Sequence, residues 1–369
     1  MIKHNANNER IKRQYFIFLK EAKRQNEASV DAAAKSISRF ESYTKFKDFK
    51  AFHFEQAVGF KNHLAQQKNQ QTGKPLSKAT LNSTLRQLKT FFQWLAMQSG
   101  YKSRISYTDM EYFNLSEKEV RIATARRQTS VPTLEQIKHV IETMPNNSDI
   151  ERRNHALIAF TLLTGARDSA IASMKLKHVD LVSSNVFQDA REVNTKFSKT
   201  FTTFFFPVGD DIEQVVVDWV RYLKEELLWG NDAPLFPKTN VITGEDRVFK
   251  ASGFKKEHWS TASPIRTIFS NAFESADLPY FNPHSFRKTI VTLGQKICQT
   301  PEEFKSWSQN LGHEDVLTTL YSYGEVQQHR QGEIFQQLKA PRASSSQNVD
   351  DIAAAVVKAM ARNNNQVEA

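Results

Sequence analysis

An imidazole and a guanidinium stand three residues apart in Asn282-Pro283-His284-Ser285-Phe286-Arg287. Asn is a favoured helix N-cap and Pro suits the first helical position, so the spacing predicts a helix that opens here. His284 and Arg287 then share one face near the positive end of the helix dipole, a good setting for a phosphate. Two other stretches carry comparable chemistry. Leu163-Thr164-Gly165-Ala166-Arg167 puts an arginine just after a helix-breaking glycine, and Leu311-Gly312-His313-Glu314-Asp315 is followed closely by Tyr321 and Tyr323. Taken singly, each is more ordinary as structure: a salt-bridging arginine, a helix start, a loop histidine.

The elements that must position these residues follow from apolar spacing and caps. Residues 1–100 read as helices only. Segments 11–22, 32–43 and 54–66 precede a Gly73-Lys74-Pro75 turn. Ser77 then caps the strongest helix, Lys78 to Gln98, with Leu81, Leu85, Leu88, Phe92 and Leu95 on one face and Arg86 and Lys89 on the other side. Residues 101–131 are polar and read as a connector. Pro132 precedes a helix from Thr133 to Met144, and 155–175 reads as helical around the Thr164-Gly165 break. Residues 186–207 are rich in β-branched and aromatic side chains and predict a hairpin or small sheet. Helices resume at 212–227, 264–275, 284–297 and 302–309. The fold class is therefore mainly α with a small β-sheet. An all-α, basic bundle spans 1–105, a linker 106–131 and an α+β domain 132–340, with a flexible link and an amphipathic tail over 341–369.

Charge narrows the partner. Lys and Arg total 50 against 40 Asp and Glu, a net charge of +10. Residues 1–100 hold 18 basic and 7 acidic side chains, and the remaining 269 residues hold 32 and 33. The whole excess lies in the helical bundle, as expected of a surface that meets a polyanion. The single cysteine, Cys298, excludes an internal disulfide framework and a cysteine-built zinc site. With no apolar run of about 20 residues, a reducing, cytoplasmic setting is expected.

In combination, T-G-A-R, a lysine on a β-hairpin, H-x-x-R, L-G-H and a late tyrosine, in that order, resemble the tyrosine recombinase (phage integrase) family. The resemblance runs from Ile11 to about Gln337, and the bundle looks like the family's core-binding domain. It implies a site-specific recombinase or integrase that cleaves and rejoins DNA through a 3′-phosphotyrosyl intermediate, without metal, ATP or other cofactor. Arg167 and Arg287 would bind the scissile phosphate and His284 would accept the tyrosine's proton. His313 would orient the phosphate, and a lysine would protonate the departing 5′-oxygen. The family's lysine precedes a strand ending in proline, which favours Lys199 over Lys196; on a regular strand the two would also face opposite sides.

The family's commonest spacing from L-G-H falls on Ser322, so a neighbouring tyrosine must serve. On a helix Tyr321 shares an apolar stripe with Leu317 and Leu320, whereas Tyr323 faces away and precedes Gly324. Tyr323 is therefore preferred. One departure stands out. The family often has an acidic residue three positions after its first arginine, and here that position is Ala170.

Lys78, Arg86 and Lys89 are the expected phosphate contacts of the bundle. The family pattern implies a tetramer on double-stranded recombination sites, a mobile genetic element as context and a bacterial, nucleoid-associated protein. The tail beyond residue 344, with Ile352, Val356, Val357 and Met360 near one face, has three readings: docking on a neighbouring protomer, packing on its own domain, or disorder. The alternatives are a catalytically silent DNA-binding regulator of the same fold, or a relaxing enzyme resembling type IB topoisomerases.

Overall fold

A computed structural model describes residues 4–70, 72–125, 130–243 and 249–313. The chain divides into two compact units, Met1–Arg127 and Gln128–Ala369. Among the described residues no helix is long and apolar enough to cross a membrane.

The first unit is helical throughout: α1 (Ala6–Ile17, continued by a π-turn, Phe18–Ala22), α2 (Glu27–Tyr43), α3 (Phe54–Gln66), α4 (Lys78–Leu95) and α5 (Glu117–Thr124). Ser77 caps α4 through the amide of Thr80, and Leu85, Leu88, Phe92 and Leu95 are buried as the periodicity predicts. The core is aromatic. Phe52 stacks on Phe92 with centroids 3.9 Å apart, and Phe113 stacks on Phe52 at 5.5 Å. Burying one such ring is worth about 1.5–3 kcal/mol. Here the structure corrects the sequence reading. The segment taken as a linker supplies Met110 and Phe113 to this core from a 3₁₀ turn, Tyr107–Phe113, and α5 packs on α4. Its polar composition concealed two anchoring side chains.

The second unit is built around α7 (Asp149–Thr164), which is buried from Ala156 to Thr164. A Ser148–Glu151 capping box starts it, and Gly165 ends it at φ 58°. Around it pack α6 (Leu134–Thr143), α9 (Asp210–Arg221) and α11 (Pro283–Ile297). The unit also contains α8 (Asp168–Ile171), α10 (Ser263–Ser275) and α12 (Pro301–Asn310). The expected small sheet is a three-stranded antiparallel one, in order β1 (Val179–Asp180), β2 (Asn185–Gln188), β3 (Phe201–Phe204). Val186 pairs with Thr203, and Asn185 with Phe204. Alternation sends Val186, Gln188 and Thr203 inward and Phe187 and Phe204 outward. A second two-stranded ribbon, β4 (Lys238–Thr243) with β5 (Phe249–Lys255), has no counterpart in the sequence reading.

Candidate active site

The T-G-A-R segment reverses the chain at the end of α7. Thr164 folds its hydroxyl back onto the Phe160 carbonyl at 2.7 Å, and Gly165 turns left-handed. A Cβ on Gly165 would come within 2.9 Å of Leu311 Cδ2 and 3.1 Å of Ile290 Cδ1, so space and φ together require glycine. Arg167 follows as the N-cap residue of α8. Burial lowers its guanidinium pKa below the ordinary value.

H-x-x-R opens α11 as expected. Asn282 accepts the Ser285 amide at 3.1 Å, and Pro283 occupies the first turn. This leaves His284 at the rim and Arg287 almost fully buried, 5% exposed. Arg287 is held by backbone rather than by a carboxylate. Nη1 donates to the Gly165 carbonyl, and Nη2 donates to the Leu311 carbonyl at 2.5 Å. These bonds join T-G-A-R and L-G-H to one guanidinium. Burial, with the charge of Arg167, pushes its pKa down to about 9, so it stays cationic at neutral pH.

His313 follows α12. Its Nε2 lies 3.2 Å from Arg287 Nη2. A guanidinium can only donate, so the neutral imidazole accepts at Nε2 and carries its proton on Nδ1. Desolvation, then Arg287, Arg167, His284 and Lys199, push its pKa down to about 4. His284 is lowered as well, by desolvation and then by Arg287, Arg167 and Lys288. Five of the six predicted catalytic residues therefore share one electrostatic neighbourhood.

Lys199 belongs to that neighbourhood for a reason the sequence reading did not contain. Lys196–Ser198 is a 3₁₀ turn, with Phe197 and Ser198 at φ 60° and 52°, so strand parity does not separate the two lysines. Lys196 instead sits over the Phe197 ring, 4.7 Å from its centroid. Lys199 leads into β3. The loop before it is tied to the T-G-A-R region, where the Asn194 amide donates to Ser173 Oγ at 2.8 Å and Ser169 Oγ to the Asn194 carbonyl at 3.3 Å.

Asp168 pairs with Arg266, and Ala170, where the resembled family often has an acid, is buried. Tyr323 and Tyr321 lie outside the described residues, as does the tail beyond residue 344. Among the described residues no group of three or more His, Cys, Asp and Glu is arranged to hold a metal ion. In the first unit Lys78 is paired with Glu119 and Lys89 with Glu111, each at 2.7 Å, while Arg86 is exposed on α4. Sequence reasoning missed both carboxylates. It also missed Asn310, whose adjacency to L-G-H was the available signal.

Two guanidiniums, two imidazoles and a lysine gathered around one locus form a cationic cluster of the kind that suits a phosphate. Residues 131–330 match the phage integrase family. The tyrosine recombinase XerC of Lactobacillus delbrueckii subsp. bulgaricus is 25% identical over 260 residues, covering 69% of this chain and 76% of that protein. A lambda integrase dimer bound to a COC′ core site is similar in structure at 12% identity, with a TM-score of 0.58 and coverage of 87% and 98% of the two chains. The XerH site-specific recombinase bound to a palindromic difH substrate is similar at 17% identity, with a TM-score of 0.57 and coverage of 89% and 85%. At those identities the two structures speak for the fold. The chain belongs to the phage integrase family, the tyrosine recombinases, and is an enzyme that cleaves and rejoins DNA.

Proposed function

We propose that Arg167 and Arg287 hold the non-bridging oxygens of a scissile DNA phosphodiester while Tyr323 attacks phosphorus. The Tyr323 oxygen–phosphorus bond forms as the bond to the 5′-oxygen breaks, leaving a 3′-phosphotyrosyl link and a 5′-hydroxyl. His284 takes the tyrosine's proton, Lys199 supplies a proton to the 5′-oxygen, and His313 hydrogen-bonds the phosphate. The phosphodiester energy is stored in the covalent link, so a second 5′-hydroxyl can reverse the step on another strand. The observation that carries this reading is the pair of bonds from Arg287 to the Gly165 and Leu311 carbonyls. They bring the two motif segments around one buried cation. A tyrosine of ordinary pKa about 10 needs a proton acceptor, and His284 is kept neutral at pH 7.

Lys78, Arg86 and Lys89 would supply sequence-independent phosphate contacts, the two lysines by exchanging a carboxylate for a phosphate. Four protomers would assemble on two sites in the bacterial nucleoid, with the segment after residue 344 docking on a neighbour. Deleting 344–369 should then weaken assembly in gel shifts more than single-site binding.

Covalent capture tests the chemistry. The protein is incubated with a randomised library of nicked duplexes, and detergent-resistant adducts are recovered and sequenced. Adducts with a free 5′-hydroxyl, lost in Tyr323→Phe and retained in Tyr321→Phe, are expected. No adduct from the wild type would overturn the reading.

A further inference from the structure

β3 is paired with β2 along one edge only. At Phe204, which sits opposite Asn185, the backbone N–H and C=O point to the other edge, where no strand follows among the described residues. The side chain of Asn310 takes that place. Its Oδ1 accepts the Phe204 amide at 2.7 Å, and its Nδ2 donates to the Phe204 carbonyl at 2.9 Å. One side-chain amide thus makes the two bonds a neighbouring strand would make. The Asn310 carbonyl accepts the hydroxyl of buried Thr203 at 3.1 Å, and that hydroxyl accepts Gln188 Nε2 at 3.0 Å from β2. Next in the chain come Leu311, whose carbonyl holds Arg287, then Gly312 and His313. Gly312 has φ 70°, and a Cβ there would lie 2.7 Å from the ring of Phe201, the first residue of β3. The end of α12 and the start of β3, two residues after Lys199, are therefore pressed together.

We propose that Asn310 is a positioning residue for the general acid: by completing the edge of β3 it sets the placement of Lys199 against the Arg287–His313 pair. Asn310 touches no reacting atom. The inference rests on the reading of Lys199 as the proton donor to the 5′-oxygen. A hydrophobic side chain at 310 would leave the Phe204 amide and carbonyl without their partners and free β3 to shift. Misplacing a proton donor by about 1 Å costs on the order of 100-fold in rate.

Leaving-group chemistry separates this role from general destabilisation. A thiolate leaves without a proton, so a 5′-bridging sulfur at the scissile phosphate removes the need for a general acid. The duplex recovered by covalent capture is synthesised with oxygen or sulfur at that position, and single-turnover cleavage is measured with full-length protein. Asn310→Leu is expected to cleave the oxygen substrate about 10- to 100-fold more slowly than wild type and the sulfur substrate within about threefold of it. Lys199→Ala should show the same pattern more strongly. Asn310→Asp keeps the acceptor for the Phe204 amide and loses the donor; it should give the same pattern, and it serves if the leucine variant does not fold. Rescue of Lys199→Ala without rescue of either Asn310 variant overturns the proposal while leaving the general-acid reading intact. Failure of sulfur to rescue Lys199→Ala overturns both.

Discussion

The carboxylate of Asp168 grips Arg266, with Oδ2 2.9 Å from both Nε and Nη2, although Arg167 is its neighbour in the chain. Were it paired with Arg167 instead, Asp168 would offer that guanidinium an internal anion in competition with a phosphate. Arg167→Ala is expected to lower the cleavage rate by roughly 100- to 1000-fold, the cost of losing a preorganised donor. Asp168→Asn removes one partly exposed ion pair worth about 0–1 kcal/mol, so cleavage should stay within about fivefold. Single-turnover assays on the captured duplex compare the two. Equal losses would mean that Asp168 acts on the phosphate site directly.

The two site histidines set a pH dependence with a definite sign. The folded pKa of His313, about 4, is below the unfolded value near 6.5. The folded protein therefore binds fewer protons than the unfolded chain between these values, and stability rises with pH there. The contribution is complete above about pH 6.5 and is lost as pH falls from there toward 4. His284 adds in the same direction. Urea unfolding at a series of pH values should show the decline, and His313→Gln should flatten it. NMR titration of the free protein should place the His313 midpoint well below 6.5. Adding captured duplex, which brings an anion beside the imidazole, should move that midpoint upward.

Lys199 and Lys196 should separate cleanly. Loss of a general acid costs about 100- to 10,000-fold, so Lys199→Ala should cleave the oxygen substrate that much more slowly. Lys196, stacked on the exposed ring of Phe197, should tolerate alanine with little change in rate. A collapse of cleavage in Lys196→Ala would reverse the assignment.

Gly165→Ala combines a left-handed φ with contacts of 2.9 and 3.1 Å to Leu311 and Ile290. The expected destabilisation is roughly 1–3 kcal/mol, read as a lower urea midpoint at unchanged m-value. Because the Gly165 carbonyl also accepts from Arg287, cleavage should fall beyond what the folded fraction explains.

On the proposed reading of Lys78, Arg86 and Lys89 as phosphate contacts, DNA binding should respond to single carboxylates of the first unit. Glu111→Gln removes the negative charge 2.7 Å from Lys89, which also donates to Asn114 Oδ1 at 3.1 Å. It should tighten binding of non-specific duplex at low salt. Lys89→Ala and Arg86→Ala should each reduce the slope of log affinity against log salt by about 1. An unchanged slope would remove that residue from the contact surface.

The sequence by itself determined much of what short-range rules reach. Apolar spacing placed α3 at Phe54–Gln66 and identified the buried face of α4, and local caps opened α4 and α11. The order of T-G-A-R, H-x-x-R and L-G-H marked the residues that gather around Arg287. Tertiary structure decided what depends on partners far along the chain. Lys78 meets a carboxylate 41 residues away and Lys89 one 22 residues away. The segment after α4 folds back to bury Met110 and Phe113 despite its polar composition. The second ribbon escaped notice because exposed side chains such as Val241, Ile242 and Phe249 give it no clear alternation of buried and exposed positions. Lys199 was reached from family spacing, but its position depends on a left-handed turn and on a side-chain amide 106 residues from the backbone it completes. Local propensity extends over one helical turn or one strand pair; the edge of β3 is closed by α12, and only packing brings those two together.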